Sequence, residues 1–152
     1  MTCKLPLFVK IAPDMTMEEV DDVVDVVLGA NIAGIVATNT TVNKDIKAKY
    51  GTAGEMGGVS GDDPDFRKMS TDIIKHIYKK AGNKIAIIGA GGVKDAPTAL
   101  EKIRAGACAV QIVAALDQEG PTLPGRINRE LVEYLEKEGI KSIIELIGVD
   151  AS

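Results

Sequence analysis

Four short apolar runs alternate with amphipathic helical stretches along this chain of 152 residues, and no other feature restricts its fold as much. The first run is Leu5–Ala12, closed by Pro13-Asp14. A run this short, bounded by turn residues, suits a buried strand. Thr16-Met17-Glu18-Glu19 follows as a capping box, which satisfies free N–H groups where a helix begins. Met17, Val20, Val23, Val24, Val27 and Leu28 then recur at helical spacing up to Gly29, with Glu18, Asp21, Asp22 and Asp25 on the opposite face. The second unit opens with the strand Gly34–Asn39. A Gly-rich polar connection from about Thr40 to Asp65 leads to a helix over Asp65–Ala81, with Met69, Ile73, Ile74, Ile77 and Tyr78 turned inward. The third pairs a strand at Lys84–Gly89 with a helix at Ala96–Ala105, where Pro97 falls in the tolerated first turn. The fourth pairs Ala107–Leu116 with Pro124–Lys137, and a short helix at Ser142–Ile147 ends the pattern.

Apolar strands separated by crossover helices predict a parallel sheet with helices covering it. The expectation is therefore an α/β fold of four βα units in one domain, residues 1–152. Parallel sheets place their binding loops at the carboxyl ends of the strands. The segments rich in Gly, Asn and Thr all fall at those ends, so one rim should carry the function. The net charge of −4 argues against a broad nucleic-acid surface. No apolar run approaches the ~20 residues of a membrane helix. No signal-peptide pattern opens the sequence, and Cys3 and Cys108 lie far apart without a CxxC, which disfavours a zinc site or a disulfide. A soluble, cytoplasmic chain without a metal is expected.

The rim motifs each admit two readings. In Ile87-Ile88-Gly89-Ala90-Gly91-Gly92-Val93-Lys94-Asp95, Lys94 stands where a dinucleotide fingerprint needs its third glycine, and no acidic residue follows at the expected distance. What remains is a phosphate loop of exposed amides near a helix start, or a tight turn needing glycine only for its backbone angles. Lys10, inside an apolar strand, either faces an anion or electron-rich ligand or snorkels from the strand end. Thr38-Asn39-Thr40-Thr41 either reads a polar ring or caps a turn. Gly57-Gly58-Val59-Ser60-Gly61 offers amides to a ligand or is a flexible tip. His76, among Lys75, Lys79 and Lys80, is expected to be solvated, as are Asp21, Asp22 and Asp25. Cys108 is expected to be a small core residue.

Taken together, "FVKIAPDM", "VATNTT", "GGVSG", "IIGAGGV", "ALEKIRAGA" and "VQIVAAL" closely resemble, in order and spacing, the dihydroorotate dehydrogenase family, most strongly its quinone-linked class 2 branch. "SIIELIGVD" resembles that family's C-terminus. The resemblance implies a (β/α)₈ barrel carrying FMN, which oxidises dihydroorotate to orotate in pyrimidine synthesis. This chain matches the barrel's fifth to eighth strands, so it is expected to be a half barrel. By resemblance, Lys10 lies against the flavin ring, and Thr38, Ser60 and Gly61 contact FMN. Gly91 and Gly92 hold the FMN phosphate, while Asn39 and Thr40 hold the substrate.

Two departures accompany the resemblance. The family's catalytic serine lies in an "N-x-SSPNT"-like segment with no counterpart here, so no catalytic residue is assigned and the chain is expected to be inactive alone. The family's membrane-associating segments are likewise unmatched. The last strand of the family reads like "VQLYTAL", whose Tyr-Thr pair helps hold the FMN phosphate; Val113 and Ala114 replace both hydroxyls, and the Asp117 carboxylate nearby would repel a phosphate. Four strands of a closed barrel leave two edges and an apolar inner face. Self-association, as a homodimer or otherwise, is expected to cover them, in preference to pairing with a separate half or rewinding into an open sheet. A silent (βα)₄ module and a phosphate-ligand (FMN) binding module stand as the alternative functions.

Overall fold

The computed structural model describes residues 5–151; Met1–Lys4, including Cys3, lie outside the described residues. Strands β1 (Phe8–Ile11), β2 (Gly34–Ala37), β3 (Ala86–Ala90) and β4 (Ala109–Gln111) form one parallel sheet in chain order. Helices α1 (Met17–Gly29), α3 (Pro64–Ala81) and α4 (Ala96–Ala105) are the crossovers. A short α2 (Lys44–Lys49) lies in the long connection, and α5 (Ala114–Glu119) and α6 (Leu123–Glu138) follow β4.

Alternation within the strands sorts their residues onto two faces. Ile11, Ile35, Ala37 and Ile87 face outward and pack with Val20, Val24 and Val27 of α1 and with Ile73, Ile74 and Ile77 of α3. Lys10, Val36 and Ile88 form a row in register on the other face. The sheet thus has a helix-covered outer face and the inner face of a barrel wall. Smaller clusters, around Val93, Ala99, Leu123 and Ile127 and around Leu100, Ile103 and Leu146, extend the core beneath α4 and α6.

The capping box of α1 forms as its sequence predicts. Thr16 Oγ1 accepts from the Glu19 N–H at 3.2 Å, and Glu19 Oε2 accepts from the Thr16 N–H at 2.9 Å. Thr16→Ala is expected to lower unfolding free energy by about 1 kcal/mol, while Thr16→Ser stays near the original; urea titration measures both.

Several boundaries differ from the sequence reading. The fourth apolar run is not one strand: β4 holds only Ala109–Gln111, and Ala114–Leu116 begin α5. Pairing ends where β3 ends, at Ala90↔Gln111, because the chain turns away at Gly91 with φ +111°. Without a partner, the remaining apolar residues close a helical turn. The last helix is a 3₁₀ segment, Ile143–Leu146, capped by Ser142. Cys108 is exposed at the start of the edge strand rather than in the core. His76 and Asp21 are not simply solvated: His76 Nε2 lies 2.8 Å from Asp21 Oδ1, and Lys80 Nζ donates to Asp25 Oδ2 at 2.8 Å. These contacts join α3 to α1, and the His76 hydrogen bond holds the Asp21 carboxyl below its ordinary range.

Candidate functional site at the carboxyl ends of the strands

The end of β1 and the loops after β2, β3 and β4 meet in one cleft of about 230 Å³. Lys10, Thr38, Asn39, Thr40, Ser60, Gly61, Gly91 and Gly92, the residues picked from sequence, all line it. Backbone pairing fixes the second loop across its neighbours: the Thr38 N–H donates to Ala90 O at 2.9 Å and the Asn39 N–H to Ile11 O at 2.8 Å. Thr38 is buried and its hydroxyl donates to Asn39 O at 3.1 Å. Asn39 is exposed to the cleft with its amide free to donate and accept.

The long connection is folded back by polar side chains. Thr41 and Val59 exchange backbone hydrogen bonds of 3.0 and 2.9 Å, which carries Ser60 and Gly61 over the end of β2. Asp14 holds the same turn, accepting from Thr41 Oγ1 at 2.6 Å and from the Val42 N–H at 3.0 Å. Lys47 is buried and donates to Glu55 O and Gly57 O, closing the Gly51–Gly57 segment onto α2. Asp63 caps α3, accepting from the Asp65 and Phe66 N–H groups at 2.9 Å. The Phe66 N–H, then Lys49 and Tyr50, hold its carboxyl below the ordinary range against the effect of burial. Asp14, Lys47 and Asp63 were not singled out from sequence in these roles. Only Asp63 carries a sequence signal, a capping residue directly before Pro64.

The glycines of the third loop do different jobs. Gly89 lies outside the cleft's lining; a Cβ there would stand 3.0 Å from Lys102 Cβ and 3.1 Å from Ala107 Cβ, so it admits α4 to the sheet. Gly91 and Gly92 have φ of +111° and +73°, which L side chains rarely adopt. The turn they make leaves the N–H groups of Gly91, Gly92 and Val93 without an acceptor among the described residues. Gly92 and Val93 are buried residues, where an unpaired N–H is costly unless something accepts from it. Successive free amides of this kind form an anion cradle. Behind it, α3 supplies the floor: Phe66 and Ser70 lie under Gly91 and the Arg67 stem under Gly92, while Ser70 Oγ donates to Ala90 O.

Charge in the cleft is balanced. Lys10 on β1 and Lys94 beside the cradle oppose Asp62 and Glu119. Lys94 Nζ pairs with Asp62 Oδ2, and Asp62 Oδ1 also accepts from Arg67 NH1 at 2.5 Å. Val113 and Ala114 border the cleft with methyl groups alone. Among the described residues no group of three or more His, Cys, Asp or Glu is placed to hold a metal, and no helix is long and apolar enough to cross a membrane.

Four βα units with a polar rim at the strand carboxyl ends define part of an α/β barrel. The family model for dihydroorotate dehydrogenase matches residues 1–135, and the chain belongs to that family. It is 41% identical over 145 residues to a dihydroorotate dehydrogenase (quinone) of Anaeromyxobacter dehalogenans, covering 95% of this chain and 39% of that protein. With a protein of the same name from Allorhizobium ampelinum it shares 44% identity over 143 residues, 94% of this chain and 39% of the relative. The crystal structure of the Eimeria tenella enzyme in complex with ferulenol superposes with a TM-score of 0.87 at 36% identity, over 99% of this chain and 39% of that one. The chain therefore spans about two fifths of the length of the relatives it matches.

Proposed function

We infer that this chain, one domain over residues 1–152, supplies the flavin-binding side of a dihydroorotate dehydrogenase barrel, contributing FMN and orotate contacts to the oxidation of dihydroorotate in pyrimidine synthesis. The observation that carries this reading is the meeting of all eight sequence-selected residues, from the ends of β1, β2 and β3 and the long connection, in a single cleft. FMN also passes a test of fit. Its phosphate would find the free Gly91, Gly92 and Val93 amides, and its ring an open wall beside Lys10 and Thr38.

Bound there, FMN would supply the two-electron acceptor. The chain's residues would position it. The Lys10 ammonium would place a positive charge where electron density rises during the reaction, an electrostatic contribution that needs no reorganisation. Thr38 Oγ1, whose proton is committed to Asn39 O, would be left to accept from a ring N–H. Asn39 and Thr40 would read the substrate's ring and carboxylate through paired donors and acceptors. Ser60 and Gly61 would close over the ring from the side of the folded-back connection.

Flavin binding and dihydroorotate oxidation are measured on the purified chain, alone and mixed with a polypeptide carrying the other four βα units. Flavin is expected to bind, with oxidation only in the mixture. No flavin in either sample would overturn the reading. The two free sheet edges, at β1 and β4, support self-association when no such partner is present. Light scattering is expected to give a dimer or larger, and a monodisperse monomer would remove that part of the proposal. The methyl groups of Val113 and Ala114, where hydroxyls would help hold a phosphate, favour a second reading, a catalytically silent (βα)₄ module, for which neither sample would bind FMN.

A further inference from the structure

We propose that Lys94 is the phosphate-binding cation of this cleft, held on Asp62 in this structure and exchanged onto a phosphate monoester seated on the Gly91–Val93 amides. The inference rests on the phosphate reading above and deepens it by naming the group that supplies the charge.

Three observations lead there. The first is position. Lys94 directly follows the cradle, lines the same cleft, and is the lysine of the lining that belongs to the third loop; Lys10 enters from β1, two strands away. With strands about 4.8 Å apart, Lys10 stands on the order of 10 Å from the cradle's wall, so Lys94 is the nearer cation.

The second is the anchoring of Lys94. Its N–H donates to Thr98 Oγ1 at 3.0 Å, within the capping box that starts α4. The backbone is therefore fixed while the side chain, 41% exposed, can pivot.

The third is the partner it would leave. Asp62 has two cationic partners. When Lys94 moves, Asp62 Oδ1 keeps Arg67 NH1 at 2.5 Å, so no carboxylate is stranded. Arg67 is in turn fixed by Glu101 Oε2, 3.2 Å from its Nε, and by its stem packing against Gly92. Arg67 is thus committed to the floor, and Lys94 is the mobile charge. The same exchange also addresses the loss of hydroxyls at Val113 and Ala114: a charge-assisted contact is about twice as strong as a neutral one, so one lysine can replace two hydroxyls.

The test is isothermal titration of FMN, riboflavin and inorganic phosphate into the chain and into Lys94→Gln, Lys94→Arg and Asp62→Asn, each checked for folding by circular dichroism. The chain is expected to bind FMN more tightly than riboflavin. Lys94→Gln should weaken FMN by about tenfold and leave riboflavin unchanged, with a shallower salt dependence for FMN. Lys94→Arg should restore most of the loss. Asp62→Asn, which frees Lys94 and removes a negative charge, should tighten FMN a few-fold. An unchanged FMN-to-riboflavin ratio in Lys94→Gln would overturn this inference and leave the phosphate reading standing. Weaker FMN binding in a folded Asp62→Asn would overturn the exchange as well. Equal binding of FMN and riboflavin by the unaltered chain, or binding of neither, would overturn the phosphate reading and this inference with it.

Discussion

Gly91→Val is expected to abolish FMN binding and to lower unfolding free energy by about 2–5 kcal/mol, through two additive effects. The first is conformational. At φ +111° a β-branched side chain is strained by roughly 1–3 kcal/mol. The second is steric. A Cβ at Gly91 would stand 3.1 Å from Phe66 Cζ and 3.1 Å from Ser70 Oγ, and both are buried on α3 with no room to retreat. Relief of the clash would rotate the turn and turn the Gly91–Val93 amides away from the cleft. Gly57→Ala separates the two effects: φ there is +90° but nothing lies within 4 Å of the added Cβ. It is expected to cost only about 1 kcal/mol and to leave flavin binding intact. Denaturant titration and flavin titration of both variants check this. A Gly91→Val chain that binds FMN normally would show that the cradle amides do not hold the phosphate.

Lys102→Met is expected to stabilise the chain at pH 6 and to flatten the rise of stability with pH. Lys102 is fully buried between α3 and α4, where Nζ donates to Arg67 O at 2.9 Å and to Thr71 Oγ1 at 2.7 Å. Two neutral acceptors suit a neutral amine, which has two N–H groups. Burial, opposed by Glu101 and reinforced by Arg67, pushes its pKa down from 10.5 to about 7. The direction of the pH effect follows from that depression. Between about 7 and 10.5 the unfolded chain holds a proton that the folded chain lacks, so stability rises with pH across that window. Below about 7 the folded chain carries the buried charge and its full cost, on the order of 3–5 kcal/mol. Methionine removes the titrating group and leaves no acceptor stranded, because Arg67 O also accepts from Thr71 Oγ1 at 2.9 Å. Urea unfolding at pH 6, 8 and 9.5 measures the difference, which should be largest at pH 6 and shrink toward pH 9.5. A constant difference across that range would show that Lys102 is charged throughout.

Much of the site was legible in the sequence because its parts are local. Gly91 and Gly92 stand out by spacing after an apolar run, Thr38-Asn39-Thr40 by ending one, and Lys10 by interrupting one. Each motif alone admitted a bland alternative. Six of them in order did not, and the family match over residues 1–135 agrees with that reading. What escaped were groups whose role depends on a distant partner. Lys47 stands in a polar, Gly-rich stretch whose pattern carries no sign of burial, yet it is buried on Glu55 O and Gly57 O. Asp21 and His76 each sit on a polar helix face, and only the packing of α3 on α1 makes them a pair 2.8 Å apart. The end of β4 falls short of the sequence expectation because an apolar run of that length suits a strand or a short helix equally. The turn of β3 at Gly91 decided between them.

By itself the sequence determined the four βα units, the cap of the first helix, the parallel sheet and the rim on which the polar residues gather. These follow from hydrophobic period and turn chemistry, which act over a few residues. Tertiary structure alone decided the fate of the charges. Lys94 meets Asp62 across 32 positions and Lys102 meets Thr71 across 31, and whether a charge is solvated, paired or neutralised depends on what the folded chain brings against it. The glycine turn after β3 is a feature of sequence; the cation beside it, and what that cation is held by, belong to the fold.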